Sequence, residues 1–157
     1  MREILFKAKR KDNREWVEGF LFELFFEGIW CIGNNPLQPN DYSEIIGENK
    51  DWFYINPDTI CQYTGLKDKN GKEIYEGDII RCWSEGVQAE GKVQQRIDGL
   101  WIIYPAYQKH IMWGLCPNNN GDTTVEIIGN IFDNPELLDA DKQVSKYADN
   151  DVMKPAT

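Results

Sequence analysis

The sequence predicts a mainly β protein, with an N-terminal β-hairpin lobe, a small β-barrel and one short helix near the C-terminal end. Three observations lead there. Strand-length runs rich in Ile, Val, Phe, Tyr and Trp recur along most of the chain. Asn-Gly, Asp-Gly and Gly-Asp pairs stand between many of them, and these residues suit tight turns. The one convincing helical signal is only a few residues long: Asn134 as cap, Pro135 at the first helical position, then Glu136, Leu137, Leu138 and Asp139.

Taken in order, Ile4, Phe6 and Ala8 alternate with Leu5, Lys7 and Lys9, a polar Lys-Asp-Asn-Arg turn follows, and a second extended run begins at Trp16. That is a β-hairpin. Residues 28–33 form a short third strand, and a loop rich in Pro and Asn leads to a further region ending in Trp52, Phe53, Tyr54, Ile55 and Asn56. Pro57-Asp58 favours a turn, and Thr59, Ile60 and Tyr63 favour extension. Beyond residue 78, five strand-length runs follow, starting near Asp78, Gly91, Leu100, His110 and Thr124. Asp98-Gly99 is the strongest hairpin signal among them, and Gly129 marks a place where a strand bends or another backbone comes close. Short, bent, antiparallel strands at close spacing point to a small barrel. The organisation expected is a β lobe over residues 1–57, a barrel region over 58–138 with the short helix near 135–139, and a polar, flexible tail over 139–157.

The most organised block is residues 62–80, with glycines at 65, 71 and 77 around a charged centre. A phosphate-binding P-loop needs four residues between its glycines and a Ser or Thr after the lysine; here five separate Gly65 from Gly71, and Glu73 follows Lys72. A calcium loop aligned on Asp68, Asn70 and Gly71 would put Leu66 at its first position and Gly77 at its twelfth, where carboxylates are required. Both templates fail. A hairpin fits: Asp68 and Asn70 bond local backbone N–H groups, Asn70-Gly71 suits positive φ, and Gly77-Asp78 makes a second turn.

Composition narrows the function classes. With 41% hydrophobic and 27% charged residues the chain has the material for a core and is not disordered by composition. The longest apolar cluster, residues 20–26, is short and broken by Glu23, so no membrane span or signal peptide is expected and the cytoplasm is the expected compartment. The net charge is −9, yet residues 1–14 carry six basic side chains against Glu3 and Asp12. Most of the surface would therefore repel phosphate, and nucleic-acid binding is disfavoured except at a basic patch of Lys7, Lys9, Arg10 and Lys11. Cys31, Cys61, Cys82 and Cys116 lack any Cys-x-x-Cys spacing and are expected to be small apolar core residues. A single histidine, His110, and the lack of a nucleophile motif give no catalytic, metal or cofactor site. Six tryptophans and seven tyrosines suit either a core or a barrel face that clasps a peptide or stacks bases.

Residues 1–8, the segment Trp16-Val17-Glu18-Gly19, the block 57–80 and residues 125–138 together resemble the YopX family, encoded by phages and prophages. The specific part is 58–80, backed by the separate match at 125–138. The resemblance implies an all-β fold with an SH3-type barrel and a bacterial host cell as setting. It brings no catalytic residue or cofactor. It marks Gly65, Asp68, Asn70, Gly71, Tyr75, Gly77 and Asp78 as signature positions whose side chains suit turns. The expectation is thus an acidic, non-enzymatic accessory protein that binds another protein, with nucleic-acid binding through the basic hairpin as the alternative. Open sheet edges also allow self-association.

Overall fold

The computed structural model describes residues 4–24, 28–34, 51–84, 87–105, 111–120 and 122–138. His110 and the expected flexible tail at 139–157 lie outside them. As predicted, the protein is mainly β, and it divides into two compact units, residues 1–67 with 73–76 and residues 68–72 with 77–157.

The first unit holds a six-stranded antiparallel sheet in the order β4-β3-β2-β1-β5-β6. Its strands are β1 (Phe6–Lys9), β2 (Trp16–Leu24), β3 (Ile29–Gly33), β4 (Trp52–Tyr54), β5 (Cys61–Lys67) and β6 (Glu73–Tyr75). The predicted hairpin is β1–β2, in register from Phe6 opposite Gly19 to Lys9 opposite Trp16. Arg14, at φ 62°, turns the chain between them. Successive strand residues point to opposite faces. Ile32 accordingly packs with Ala8 and Ile55, while its neighbour Cys31 packs with Leu24 and Trp52, all buried.

The sequence assigned 58–80 to the second region, but β5 hydrogen-bonds to β1, with Phe6 opposite Gln62 and Lys7 opposite Cys61. A strand with a hairpin partner on one edge still has a row of backbone groups on the other, and β5 supplies their bonds. That long-range pairing leaves no mark in local sequence. Before it, Pro57–Thr59 forms a 3-10 turn capped by Asn56, whose side chain accepts the Asp58 N–H.

The second unit holds a five-stranded antiparallel sheet in the order β10-β9-β8-β7-β11. Its strands are β7 (Asp78–Ser84), β8 (Val87–Gln95), β9 (Trp101–Tyr104), β10 (Trp113–Gly114) and β11 (Glu126–Asn130). No closed barrel forms among the described residues, because β10 and β11 stand at opposite edges of the sheet without pairing to each other. Ile79, Ile80, Ala89, Val93, Ile102 and Ile103 are buried in it. The hairpin expected at Asp98-Gly99 joins β8 to β9, closed by the Gly99 N–H to Arg96 carbonyl bond of 2.8 Å with Gly99 at φ 85°. β8 starts earlier than the sequence suggests and runs through Gly91, where a Cβ would stand 2.5 Å from the Pro105 carbonyl oxygen.

At the C-terminal end the expected short helix is a single 3-10 turn, Pro135–Leu138. The Asn134 carbonyl accepts the Leu137 N–H as a cap should, but its side chain turns back over Gly129, where a Cβ would lie 2.6 Å from its Oδ1. The register of β11 on β7 shifts between Ile127 and Gly129, which is the bend expected there.

Candidate functional site

Of the signature positions, Asp68, Asn70 and Gly71 lie in the turn between β5 and β6, whereas Gly65, Tyr75 and Asp78 lie within β5, β6 and β7. Asp68 and Lys72 face each other across a three-residue loop, with the Asp68 N–H on the Lys72 carbonyl at 2.8 Å and the Gly71 N–H on the Asp68 carbonyl at 2.9 Å. Gly71 takes φ 81°, whereas Asn70 keeps a negative φ, so the loop is a turn followed by one left-handed glycine. The Asp68 carboxylate is 3% exposed and accepts the N–H groups of Asn70 at 2.8 Å, Lys72 at 2.9 Å and Ile127 at 3.3 Å. Burial alone would raise its pKa; the backbone donors at Lys72, Asn70 and Ile127 outweigh that and hold it below the ordinary aspartate value. A carboxylate so occupied organises backbone and has no open face for a ligand. Gly65 and Gly77 take φ 82° and 79°. Tyr75 and Asp78 are buried, and the Tyr75 hydroxyl donates to Glu73 at 3.0 Å. Burial foremost, with Glu18 and Glu73 nearby, pushes the Tyr75 phenol upward.

The basic residues of the N-terminal hairpin lie on the protein's own aromatic rings. The Lys7 ammonium sits 5.2 Å from the Trp16 ring centre and 4.7 Å from that of Tyr75, and Lys9 lies 5.3 Å from Trp16. Arg10 stands over Phe53 at 4.3 Å and is bridged to Asp12 through its Nε at 2.9 Å and again through Nη2. Lys11 is exposed, and its backbone N–H bonds the Tyr54 carbonyl at 3.0 Å. A phosphate arriving here competes with ring faces and a carboxylate for three of the four cations.

A different feature stands out in the second unit. A groove of about 400 Å³ is lined by Cys82 and Trp83 of β7, Ile103 of β9, Met112, Trp113 and Gly114 of β10 and its approach, and residues 115–116 and 123–125. Its floor includes the buried residues Cys82, Ile103, Leu115 and Val125. Trp83 and Met112 stand exposed on it, at 64% and 45%. Among the described residues no charged side chain lines it. The volume lies in the range of sites that take small ligands or peptide side chains.

Two of the four thiols line this groove, the buried Cys82 and the exposed Cys116. Cys116 departs from the expected core position, because it follows the edge strand β10 into an exposed polar loop. Burial pushes the thiols of Cys31 and Cys82 up to about 11, so both stay protonated near neutral pH. Among the described residues no cluster of three or more His, Cys, Asp or Glu side chains is placed to hold a metal ion, and no helix is long and apolar enough to cross a membrane.

Sequence reasoning noted the aromatic richness but did not single out Trp83 or Met112. The strand pattern gives little warning: in β7 Ile79, Ile80 and Cys82 are all buried, and Trp83 shares its phase with both the partly exposed Arg81 and the buried Ile79.

A family model described as YopX protein matches residues 5–139. Among solved structures, the crystal structure of protein EF1440 from Enterococcus faecalis is similar at 20% sequence identity, covering 88% of this chain and 99% of that one, with a TM-score of 0.42. No curated protein matches the chain.

Proposed function

We propose that this chain, which belongs to the YopX protein family, is a non-enzymatic accessory protein of phage or prophage origin that works in the bacterial cytoplasm by holding another protein. The observation that carries this reading is the groove of the second unit, a mostly apolar concavity with no charged side chain among its described lining residues and with Trp83 and Met112 exposed on it. Exposed apolar side chains around a concavity lose unfavourable hydration when a partner covers them, and tryptophan is prominent among the residues that dominate binding energy. The acidic chain, at a net charge of −9, adds attraction for a basic partner surface and repels nucleic acid.

The test is affinity capture from bacterial cells carrying the protein, with and without nuclease, for wild type and for Trp83→Ser combined with Met112→Ser. A protein recovered by wild type, insensitive to nuclease and lost with the double variant, is the expected result. Recovery that depends on nucleic acid, or equal recovery by both forms, contradicts the reading.

A further inference from the structure

Nothing among the described residues requires glycine at position 114. Gly19, Gly33, Gly91 and Gly129 each lie where a Cβ would meet another atom at 2.3–2.6 Å, and Gly65, Gly71, Gly77 and Gly99 take positive φ. At Gly114 φ is ordinary, and among the described residues a Cβ would touch only the Cys116 sulfur at 3.7 Å and Leu100 at 3.9 Å, both normal contacts. Glycine in a strand is destabilising relative to alanine, so an unforced one needs a reason. Here it leaves the backbone of β10, an edge strand among the described residues, bare within the groove. A bare strand edge beside an apolar pocket is how sheets accept an extended peptide: its main chain lies along the strand and an alternate side chain enters the pocket.

The charges narrow the class. The floor residues Ile103, Leu115 and Val125 would desolvate an ionised group with no counter-charge among the lining residues, so the entering side chain is apolar. Around the groove, Arg96 lies 3.8 Å from the Met112 sulfur but is already bridged to Asp98 at 2.9 Å, while Asp122 is exposed beside Thr123. With a net charge of −9 on the chain, residues flanking the anchor are favoured when positive.

We infer that the groove binds an extended peptide segment of a partner protein, with an aliphatic or aromatic anchor seated in the pocket, its backbone against Gly114 and lysine or arginine on either side. This rests on the protein-binding reading above and gives the partner's chemistry.

The test uses three synthetic ten-residue peptides measured by fluorescence anisotropy: a Val-Trp-Val centre flanked by lysines, the same centre flanked by glutamates, and a Ser-Thr-Ser centre flanked by lysines. The lysine-flanked apolar peptide is expected to bind at least tenfold tighter than either other, with the advantage over the glutamate form shrinking at high salt. Gly114→Val is expected to lower its affinity at least tenfold while leaving the urea midpoint equal to or above that of wild type. Trp83→Ser serves as a second variant at an exposed position. Undiminished binding by Gly114→Val, or preference for either other peptide, overturns the inference. So does a wild-type dimer that Gly114→Val converts to monomer without any peptide binding, because a second copy then fills the groove. If no peptide binds but the captured protein is still lost with Trp83→Ser, the peptide class fails and the protein-binding reading survives; if capture is unaffected as well, both fail.

Discussion

Replacing Asp68 with alanine should remove more stability than any other change in the signature block. The carboxylate is 3% exposed and accepts backbone N–H groups at 2.8 and 2.9 Å, with a third at 3.3 Å. Hydrogen bonds to a charged acceptor contribute about 1.5–3 kcal/mol each, and a long one contributes less. Alanine would leave three backbone donors in a shielded loop without this acceptor, so a loss of about 3–5 kcal/mol is expected. With a urea slope of about 2 kcal/mol/M, the midpoint falls by about 1.5–2.5 M. Asparagine keeps one acceptor oxygen for Asn70 and Lys72 but turns a donor toward Ile127, and should lose roughly half as much. The pH dependence follows from the lowered pKa. Because the folded value lies below the unfolded one, the carboxylate's contribution is complete above the unfolded aspartate value of about 4 and disappears as pH falls through the folded value. Urea melts at pH 7 and at descending pH below 5 measure both effects. An Asp68→Ala loss under about 1 kcal/mol, or identical pH slopes for wild type and Asp68→Asn, would refute the assignment.

Three further outcomes follow from the same geometry. Gly71→Val and Gly77→Val force a β-branched residue to φ near 80°, at a cost of about 1–2 kcal/mol or more, even though a Cβ at Gly71 meets nothing within 4 Å; unchanged melting of both variants would contradict this. The Trp101 indole N–H is buried without a hydrogen-bond partner among the described residues, so Trp101→Phe removes an unsatisfied donor along with some packing. Its urea midpoint should correspond to a loss within about 1 kcal/mol, against about 3–5 for Trp101→Ala, and an equally large loss for phenylalanine would show that the indole is well satisfied. Alkylation at pH 8 with mass-spectrometric readout should modify the exposed Cys116 first, while Cys31 and Cys82, buried with thiols near 11, react only on unfolding; early modification of Cys82 would contradict its burial.

Much of the fold was legible because its signals are local. The β1–β2 alternation, the Asp98-Gly99 turn and the paired glycines at 71 and 77 each state their geometry within a few residues, and the structure has a turn at each. What was not legible depends on distant partners. The pairing of β5 with β1 took residues 61–67 out of the second unit, the closing of the barrel does not occur among the described residues, and β8 runs through Gly91 because Pro105 passes over it. The turn role of Asp68 was readable, but its bond to Ile127, 59 positions away, was not. The groove was hidden for the same reason: Cys82, Ile103, Gly114 and Val125 come from four separate stretches of chain.

The most direct measurement is site-specific photo-crosslinking in bacterial cells, with a photoreactive phenylalanine analogue placed at Trp83 in one form and at Ile97 in another. Both positions are exposed, at 64% and 107%, but only Trp83 lines the groove. A protein adduct formed at position 83 and absent at position 97 is the predicted result. Adducts of equal yield at both positions, or none at position 83, would contradict a groove that holds a protein partner.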